Sequence, residues 1–407
     1  MNEKWMEADN PLPQKKRIMV LDSLRGFALL GIFLINITAI AAAGGPPSLD
    51  SKPNFIDEMV NQFLLLFVES KFFTLFSFLF GVGFSIQLLR ANDQGINIVP
   101  RFSRRLAALF LFGVLHIALF WEGDILVIYA AVGFALLLFK KCSEKTLLIW
   151  IAGLLILPIL IVIGSAAGIE VLRHTSEYGG QIKEADQELL RAFRMLEGGN
   201  EKPLSYTASI TERINAYIEV LPLLISRFPT VLAMFLLGLY AGKKRIFEKL
   251  EENLPLLKGM SRRGIAIGLL LNLAVVILFN TLKPVTAIVV LLLNQTLTGP
   301  ILSISYAAIF ILLSRKKNWD FLFRWLSYPG RMALTNYILQ SVLCSFIFND
   351  YGFGLKGQVS LSGTILMAFG IYIVLMIGSR FWLKTFKFGP LEWVWRCITY
   401  KKIQSIR

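Results

Sequence analysis

The chain has little with which to hold a metal ion or staple a small domain. Its 407 residues include two histidines and three cysteines. Cys142, Cys344 and Cys397 form no CxxC pair and no metal-ligand spacing, which excludes the usual zinc patterns and a disulfide framework. No metal is expected. Charge is scarce as well: 17% of residues are charged against 55% hydrophobic. A soluble domain of this size rarely reads so apolar. Alternation of apolar and polar residues over about ten positions is missing, which excludes an outer-membrane barrel. No internal repeat stands out, which counts against an inverted-repeat transporter.

What is present is the pattern of an all-α, polytopic membrane helix bundle. Apolar runs near twenty residues recur, each bounded by charges or by Gly/Pro loops. Ten spans are predicted, over about 20–42, 64–89, 103–121, 124–140, 146–168, 227–242, 264–281, 287–313, 323–347 and 360–383. They divide the chain into a five-helix part over 1–168, an extracytoplasmic insertion over 169–226 and a second five-helix part over 227–407. Within the insertion, Gln181–Leu196 carries apolar residues at helical spacing. It reads either as a surface helix capping an outer cavity or as a solvated linker.

The formal charge of +15 sits in short clusters beside the apolar runs. These are Lys15-Lys16-Arg17, Arg101 with Arg104-Arg105, Lys140-Lys141, Lys243-Lys244-Arg245, Arg262-Arg263, Arg315-Lys316-Lys317 and Lys401-Lys402. That distribution is the positive-inside pattern, with anionic lipid as partner, and not a nucleic-acid surface. Placing the first cluster in the cytosol places the other six there too. Both termini are then cytosolic. Ala41-Ala42-Ala43 resembles a cleavage site, but Asp22 and Arg25 fit a signal peptide poorly, so an uncleaved first helix is expected.

A membrane interior penalises the polar groups it holds, by about 2.5 to 3.5 kcal/mol for a central Asp, Lys or Arg. Those present therefore mark candidate function. Asn36, in LDSLRGFALLGIFLIN, and His116, in GVLHIALFWEGD, lie at nearly equal depth in the outer half of two spans running the same way. A neutral imidazole can act as general base, and a carboxamide can orient it or donate to an oxyanion. Alternatively, each side chain hydrogen-bonds a neighbouring helix. Glu122 and Asp124 follow His116 in a turn and suit either a polar substrate entering from outside or the tuning of the histidine, while Asp124 also reads as an N-cap. Asp22 and Arg25 share a helical face and are expected to pair. Arg25, with Arg101, Arg104 and Arg105, suits a phosphate group or anionic lipid.

The ninth span, YPGRMALTNYILQS, places Arg331 with Thr335 on one face and Asn336 with Gln340 on another. Such a helix should face protein or an aqueous cavity. Glu69 and Lys71, two residues apart in the second span, point away from each other and each needs another partner.

Three stretches together resemble the YeiB-type family of bacterial membrane proteins. They are LDSLRGFALLGIFLIN; FFTLFSFLFGVGF with HIALFWEGDILVIYA; and GRMALTNYILQS followed by GPLEWVWR. The opening D-x-x-R-G, with a polar residue eleven positions after the Arg, is also similar to transmembrane acyltransferases. These include polysaccharide O-acetyltransferases and the lysosomal heparan-α-glucosaminide N-acetyltransferase. In the O-acetylating branch the position of Asn36 is a histidine proposed as catalytic. Asparagine there matches the glucosaminide branch, and the base must come from elsewhere.

That resemblance implies an inner-membrane acyltransferase using acyl-CoA, such as acetyl-CoA, as cytosolic co-substrate, with a polar or glycan acceptor at the outer face. His116 would be the base and Asn36 its partner. Arg25, Arg101, Arg104 and Arg105 would contact the donor's phosphates. Glu122, Asp124, Arg331, Asn336 and Gln340 would line the acceptor cavity. A transporter or exporter of a polar small molecule would use the same polar seam, and a non-catalytic ligand-binding relative would keep the fold. A homodimer is compatible with the sequence, although no GxxxG-like stripe marks its interface.

Overall fold

The computed structural model describes residues 19–41, 54–197, 206–247 and 251–407. Helices account for the regular structure of these residues, and they contain no strand. The amino-terminal part holds α1 (Met19–Ile40), α2 (Phe55–Phe63), α3 (Lys71–Asp93), α4 (Val99–Leu119), α5 (Leu126–Leu136) and α6 (Glu144–Arg173). There follow α7 (Gly179–Glu197), α8 (Tyr206–Ser226) and α9 (Phe228–Lys243). The remainder holds α10 (Leu254–Gly259), α11 (Ile265–Thr281), α12 (Pro284–Leu291), α13 (Gly299–Ser314), α14 (Asp320–Arg331), α15 (Ala333–Phe348), α16 (Leu361–Thr385) and α17 (Pro390–Tyr400).

Seven of these helical runs are long and apolar enough to cross a membrane, and an eighth is reached if α8 and α9, bent by 54°, count as one. The protein is a multi-pass helical membrane protein. Each of the ten predicted segments is helical, but Leu126–Phe139 and Ala333–Phe348 are apolar helices too short to pass as full spans. The predicted insertion is only partly a separate element. Helix α6 runs on through residues 169–173, α7 is the expected amphipathic helix, and α8 is apolar and leads straight into α9. The basic cluster at 15–17 and the alanines at 42 and 43 lie outside the described residues.

Membrane helices gain no hydrophobic advantage from leaving lipid for one another, so close packing and hydrogen bonds must hold them together. Two crossings show how this is done. At the first, α1 meets α14. A Cβ on Gly330 would fall 1.7 Å from the Asp22 carbonyl oxygen, and one on Gly26 would fall 2.0 Å from that of Leu326. The Ser23 hydroxyl donates across the contact to the Phe323 carbonyl at 2.7 Å, and Tyr372 of α16 donates to the Gly26 carbonyl at 2.7 Å. At the second, α3 meets α9. There Gly81 and Gly238 bring the Phe235 and Phe78 carbonyls to within 2.0 and 2.1 Å of where a Cβ would sit. The opening motif is thus fixed against the start of the ninth predicted segment, and the second against the sixth.

Because backbone atoms form the obstacle at Gly330, no side-chain rotation can relieve an added methyl. Gly330→Ala should lower the unfolding midpoint of the purified protein by several degrees, in line with an overpacking cost of about 1–3 kcal/mol or more. Gly370→Ala, where nothing lies within 4 Å of the new Cβ, is the matched control and should leave it unchanged. Equal midpoints for the two variants would refute the close crossing.

Candidate functional site

Near the Trp121 end of α4, His116 and Asp124 meet across the turn that joins α4 to α5. His116 Nδ1 lies 2.9 Å from Asp124 Oδ1, and both side chains are fully buried. The other carboxylate oxygen accepts the Val127 N–H at 2.9 Å. Asp124 therefore caps α5 and holds the imidazole at once, the two roles its position allows. Gly113, one turn before the histidine, permits this. A Cβ there would sit 2.8 Å from Val127 N and 2.9 Å from Asp124 Oδ2.

The far imidazole nitrogen, Nε2, is buried and has no hydrogen-bond partner. Against the ring lies Tyr337 of α15, with centroids 5.1 Å apart. The Tyr337 hydroxyl is buried and faces Asp124 and the Ile125 amide. One turn further along α15, Gln340 is buried with both amide atoms unpaired. Such groups are rare in proteins. Here one is the far nitrogen of a carboxylate-held histidine, an arrangement suited to a general base with Nε2 as the free nitrogen.

Asn36 is not the partner of this histidine. It is half-buried on α1, a helix that packs on α14, α3, α15 and α16, whereas α4 packs on α5, α17 and α8. Asp124 occupies Nδ1, and Nε2 is bonded to nothing. Glu122 is half-buried in the turn beside Asp124. Over this end lies α8. Arg213 donates to the Ala118 and Leu119 carbonyls at 3.2 and 3.0 Å and to the Tyr351 hydroxyl at 3.2 Å. Tyr206 adds a bond to Leu119 at 2.9 Å. These two side chains satisfy carbonyls that the end of α4 would otherwise leave open.

The ninth predicted segment is broken at Met332 into α14 and α15. Arg331 and Thr335 therefore belong to different helices and do not share a face. Glu392 of α17 closes the break: its Oε1 accepts the Leu334 and Thr335 N–H groups at 2.7 and 3.0 Å. Its Oε2 accepts the Thr335 hydroxyl at 2.6 Å. Burial pushes the Glu392 carboxyl up from its ordinary range, with the Thr335 bonds pulling against it. Gly389 leaves room for the carboxylate, whose Oε2 would lie 2.1 Å from a Cβ there. Asn336 is bound to Ser379 at 2.9 Å and to the Met332 carbonyl at 3.0 Å, so its amide is committed to structure. Arg331 reaches the Lys387 carbonyl at 3.4 Å.

At the other end of α4 the predicted arginines do gather, but around α17. Arg105 stacks 3.6 Å over the Trp395 ring, Arg101 lies 5.3 Å from the Tyr400 ring, and Arg104 donates to the Thr399 carbonyl at 2.9 Å. Arg25 pairs with Asp22 at 2.6 Å, as their spacing predicts, and remains partly exposed. Arg25 and Arg396 both act on Arg105 as like charges. Arg25, Arg105 and Arg396 therefore form one basic group. Arg396 carried no signal in the sequence beyond its place in the GPLEWVWR motif.

The Glu69–Lys71 pair lies in a further break. A π-helical turn, Leu64–Val68, ends α2, and Ser70 has the left-handed φ of 65° before α3 begins. Lys71, fully buried, donates to the Leu65 carbonyl at 2.7 Å. Glu69 has Lys71 and Arg227 as its nearest cations. An apolar groove of about 250 Å³, lined by Val162, Ala166, Leu278, Leu282 and Val290, contains none of the predicted site residues. Among the described residues no group of three or more metal-ligating side chains occurs.

The fold and these sites define a multi-pass membrane protein with a buried histidine–aspartate pair. The model of the family described as "Protein of unknown function (DUF418)" matches residues 241–402. The uncharacterized protein YxaH of Bacillus subtilis is 34% identical over 98% of both chains. An uncharacterized 39.9 kDa protein from the amylase 3′ region of Bacillus acidopullulyticus is 33% identical over 97% of this chain and 96% of its own. YeiB of Escherichia coli, also uncharacterized, is 28% identical over 95% and 97%. No solved structure matches. The chain belongs to the YeiB-type family.

Glu392 supplies three hydrogen bonds across a helix break, so its removal should be costly. Glu392→Ala should destabilise the protein by about 1–3 kcal/mol, the cost of unpaired buried donors. Glu392→Gln, which keeps an acceptor for the two backbone N–H groups, should cost clearly less. Thermal unfolding of the three proteins checks the order, and an alanine variant as stable as wild type would contradict the clamp.

Proposed function

We propose that the protein is an acyltransferase of the bacterial cytoplasmic membrane. In this reading it moves an acyl group from a cytosolic acyl-CoA-type thioester to a polar, sugar-like acceptor at the outer face. The observation that carries the reading is the buried His116–Asp124 pair, with Nε2 unbonded and the ring against Tyr337. By the positive-inside rule the arginine-rich end of α4 faces the cytosol and the His116 end faces outward.

The chemistry follows from the parts. The acceptor's hydroxyl or amine attacks the thioester carbonyl, and His116 Nε2 takes its proton. A C–O or C–N bond forms and the C–S bond breaks. The proton passes from the imidazolium to the departing thiolate. Asp124 holds the Nδ1–H tautomer and stabilises the cation that forms, as carboxylates do beside catalytic histidines. Tyr337 offers a donor beside the reacting centre, and Glu122 lies at the mouth for the acceptor. Arg25, Arg105 and Arg396 suit the donor's phosphates.

Arg105 and His116 are eleven residues apart on one helix, about 16 Å along its axis. A donor anchored by its phosphates at one end therefore needs an extended thioester arm to reach the other. A transporter reading draws on a different observation, the interrupted helices around Glu69, since broken helices form many substrate sites in transporters.

Purified protein incubated with radiolabelled acetyl-CoA and a panel of sugars separates the two. Donor turnover should be abolished in His116→Ala and fall by about 10³–10⁴-fold in Asp124→Asn, the size of effect seen when a histidine loses its orienting carboxylate. Turnover that is absent in wild type, or unchanged in both variants, would overturn the enzyme reading.

A further inference from the structure

Around the interrupted helix at Glu69 the protein carries a second set of buried polar groups that the acyl-transfer reading does not use. Two helices begin there: α3 at Lys71, after the left-handed Ser70, and α9 at Phe228, after the 54° bend from α8. A third element, the π-helical turn Asn294–Thr298, packs against the same break. A Cβ on Gly299 would lie 2.8 Å from the Ser70 carbonyl oxygen, and Gln295 donates to Ser226 at 3.2 Å.

Most polar groups here are committed. Asn272 donates to the Leu66 carbonyl at 2.6 Å, and Thr298 donates to Asn294 Oδ1 at 3.0 Å. Three donors are not: Arg227 Nε, Thr230 Oγ1 and Asn294 Nδ2 are all buried without a partner. Thr230 and Asn294 are at most 1% exposed. Arg227 and Thr230 are three apart on consecutive turns and present one face.

We infer that this break is a binding site for a small monoanion, a halide or a short carboxylate. Arg227 Nε and Asn294 Nδ2 can only donate, and the Thr230 hydroxyl can donate, which favours an acceptor-only ligand. The formal charges agree: Lys71 and Arg227 face one carboxylate, Glu69, leaving one positive charge in excess. A phosphate dianion would reverse that balance. The amino-terminal ends of α3 and α9 add the positive ends of their backbone dipoles. Interrupted membrane helices use their amino termini in this way to hold anionic groups. None of these groups is hydrogen-bonded to His116 or Asp124, so the inference does not rest on the acyl-transfer reading.

The test uses the full chain in detergent, with thermal unfolding followed in sodium gluconate, chloride or acetate at equal ionic strength. Gluconate, a bulky polyhydroxylated carboxylate, serves as the reference. Chloride or acetate should raise the midpoint by several degrees in a saturable way, and the arm that responds identifies the ligand class. Thr230→Val removes an unpaired hydroxyl, so in gluconate it should be at least as stable as wild type. Its apparent anion affinity should fall at least tenfold. Asn294→Asp keeps the acceptor for Thr298 but replaces the free donor with an oxygen, and should abolish the shift. The inference is overturned if neither anion gives a saturable shift in wild type, or if both folded variants retain it in full.

Discussion

A helix interrupted inside a membrane exposes backbone N–H and C=O groups where no water can take them, and this constraint organises the protein. At three places among the described residues, two interruptions and one helix end, polar side chains take up the exposed backbone groups. At Met332 the Leu334 and Thr335 N–H groups go to Glu392. At the Leu64–Val68 turn the Leu65 and Leu66 carbonyls go to Lys71 and Asn272. At the end of α4 the Ala118 and Leu119 carbonyls go to Arg213, with Tyr206 adding a second bond to Leu119. The charge of a buried Glu, Lys or Arg is costly. Leaving the backbone groups unpaired would also be costly, and removing the break would change the course of the chain.

That constraint sorts the polar residues. Intramembrane polarity alone marks Asp22, Lys71, Asn272 and Asn336 as readily as it marks His116, yet all of these are bonded to protein. Among the buried groups that close no hydrogen bond are His116 Nε2, Tyr337 and Gln340, and Arg227 Nε, Thr230 and Asn294 Nδ2 around Glu69. A protein that satisfies its broken backbone so thoroughly has the means to satisfy these too. Their unpaired state is therefore the better mark of a ligand than their polarity.

Residues close in sequence were legible and residues joined across the fold were not. Asp22 and Arg25 pair because three residues make less than one helical turn. Asp124 lies eight residues from His116 across a single turn, so both of its roles could be read locally. Asn36 failed because a count of residues gives depth along a helix and not the direction a side chain faces. It shares a level with His116, but α1 packs on other helices. The breaks were hidden for another reason. Ser70 takes a left-handed φ without being glycine, and the break at Met332 depends on Glu392, about sixty residues away in the chain. Only a partner so distant makes that interruption affordable, and apolar periodicity carries no trace of it. Gly113 and Gly330 were likewise silent, because a glycine's use as a contact point depends on which backbone approaches it.

Helix α4 links the two ends on which the proposed chemistry rests. Its first turns carry Arg101, Arg104 and Arg105, all held by α17, and its last turn carries His116, held by Asp124 of the following turn. A single unbroken α-helix is stiff on the length scale involved, so the spacing between basic group and base is set by residue count and not by side-chain adjustment. The same α17 that stacks on Arg105 also supplies Glu392 to the start of α15, the helix that brings Tyr337 beside His116. A shift of α17 would therefore move the arginines at one end and the helix beside the histidine at the other. The short carboxy-terminal helix, far from the imidazole in sequence, is thus the part that keeps both ends in register.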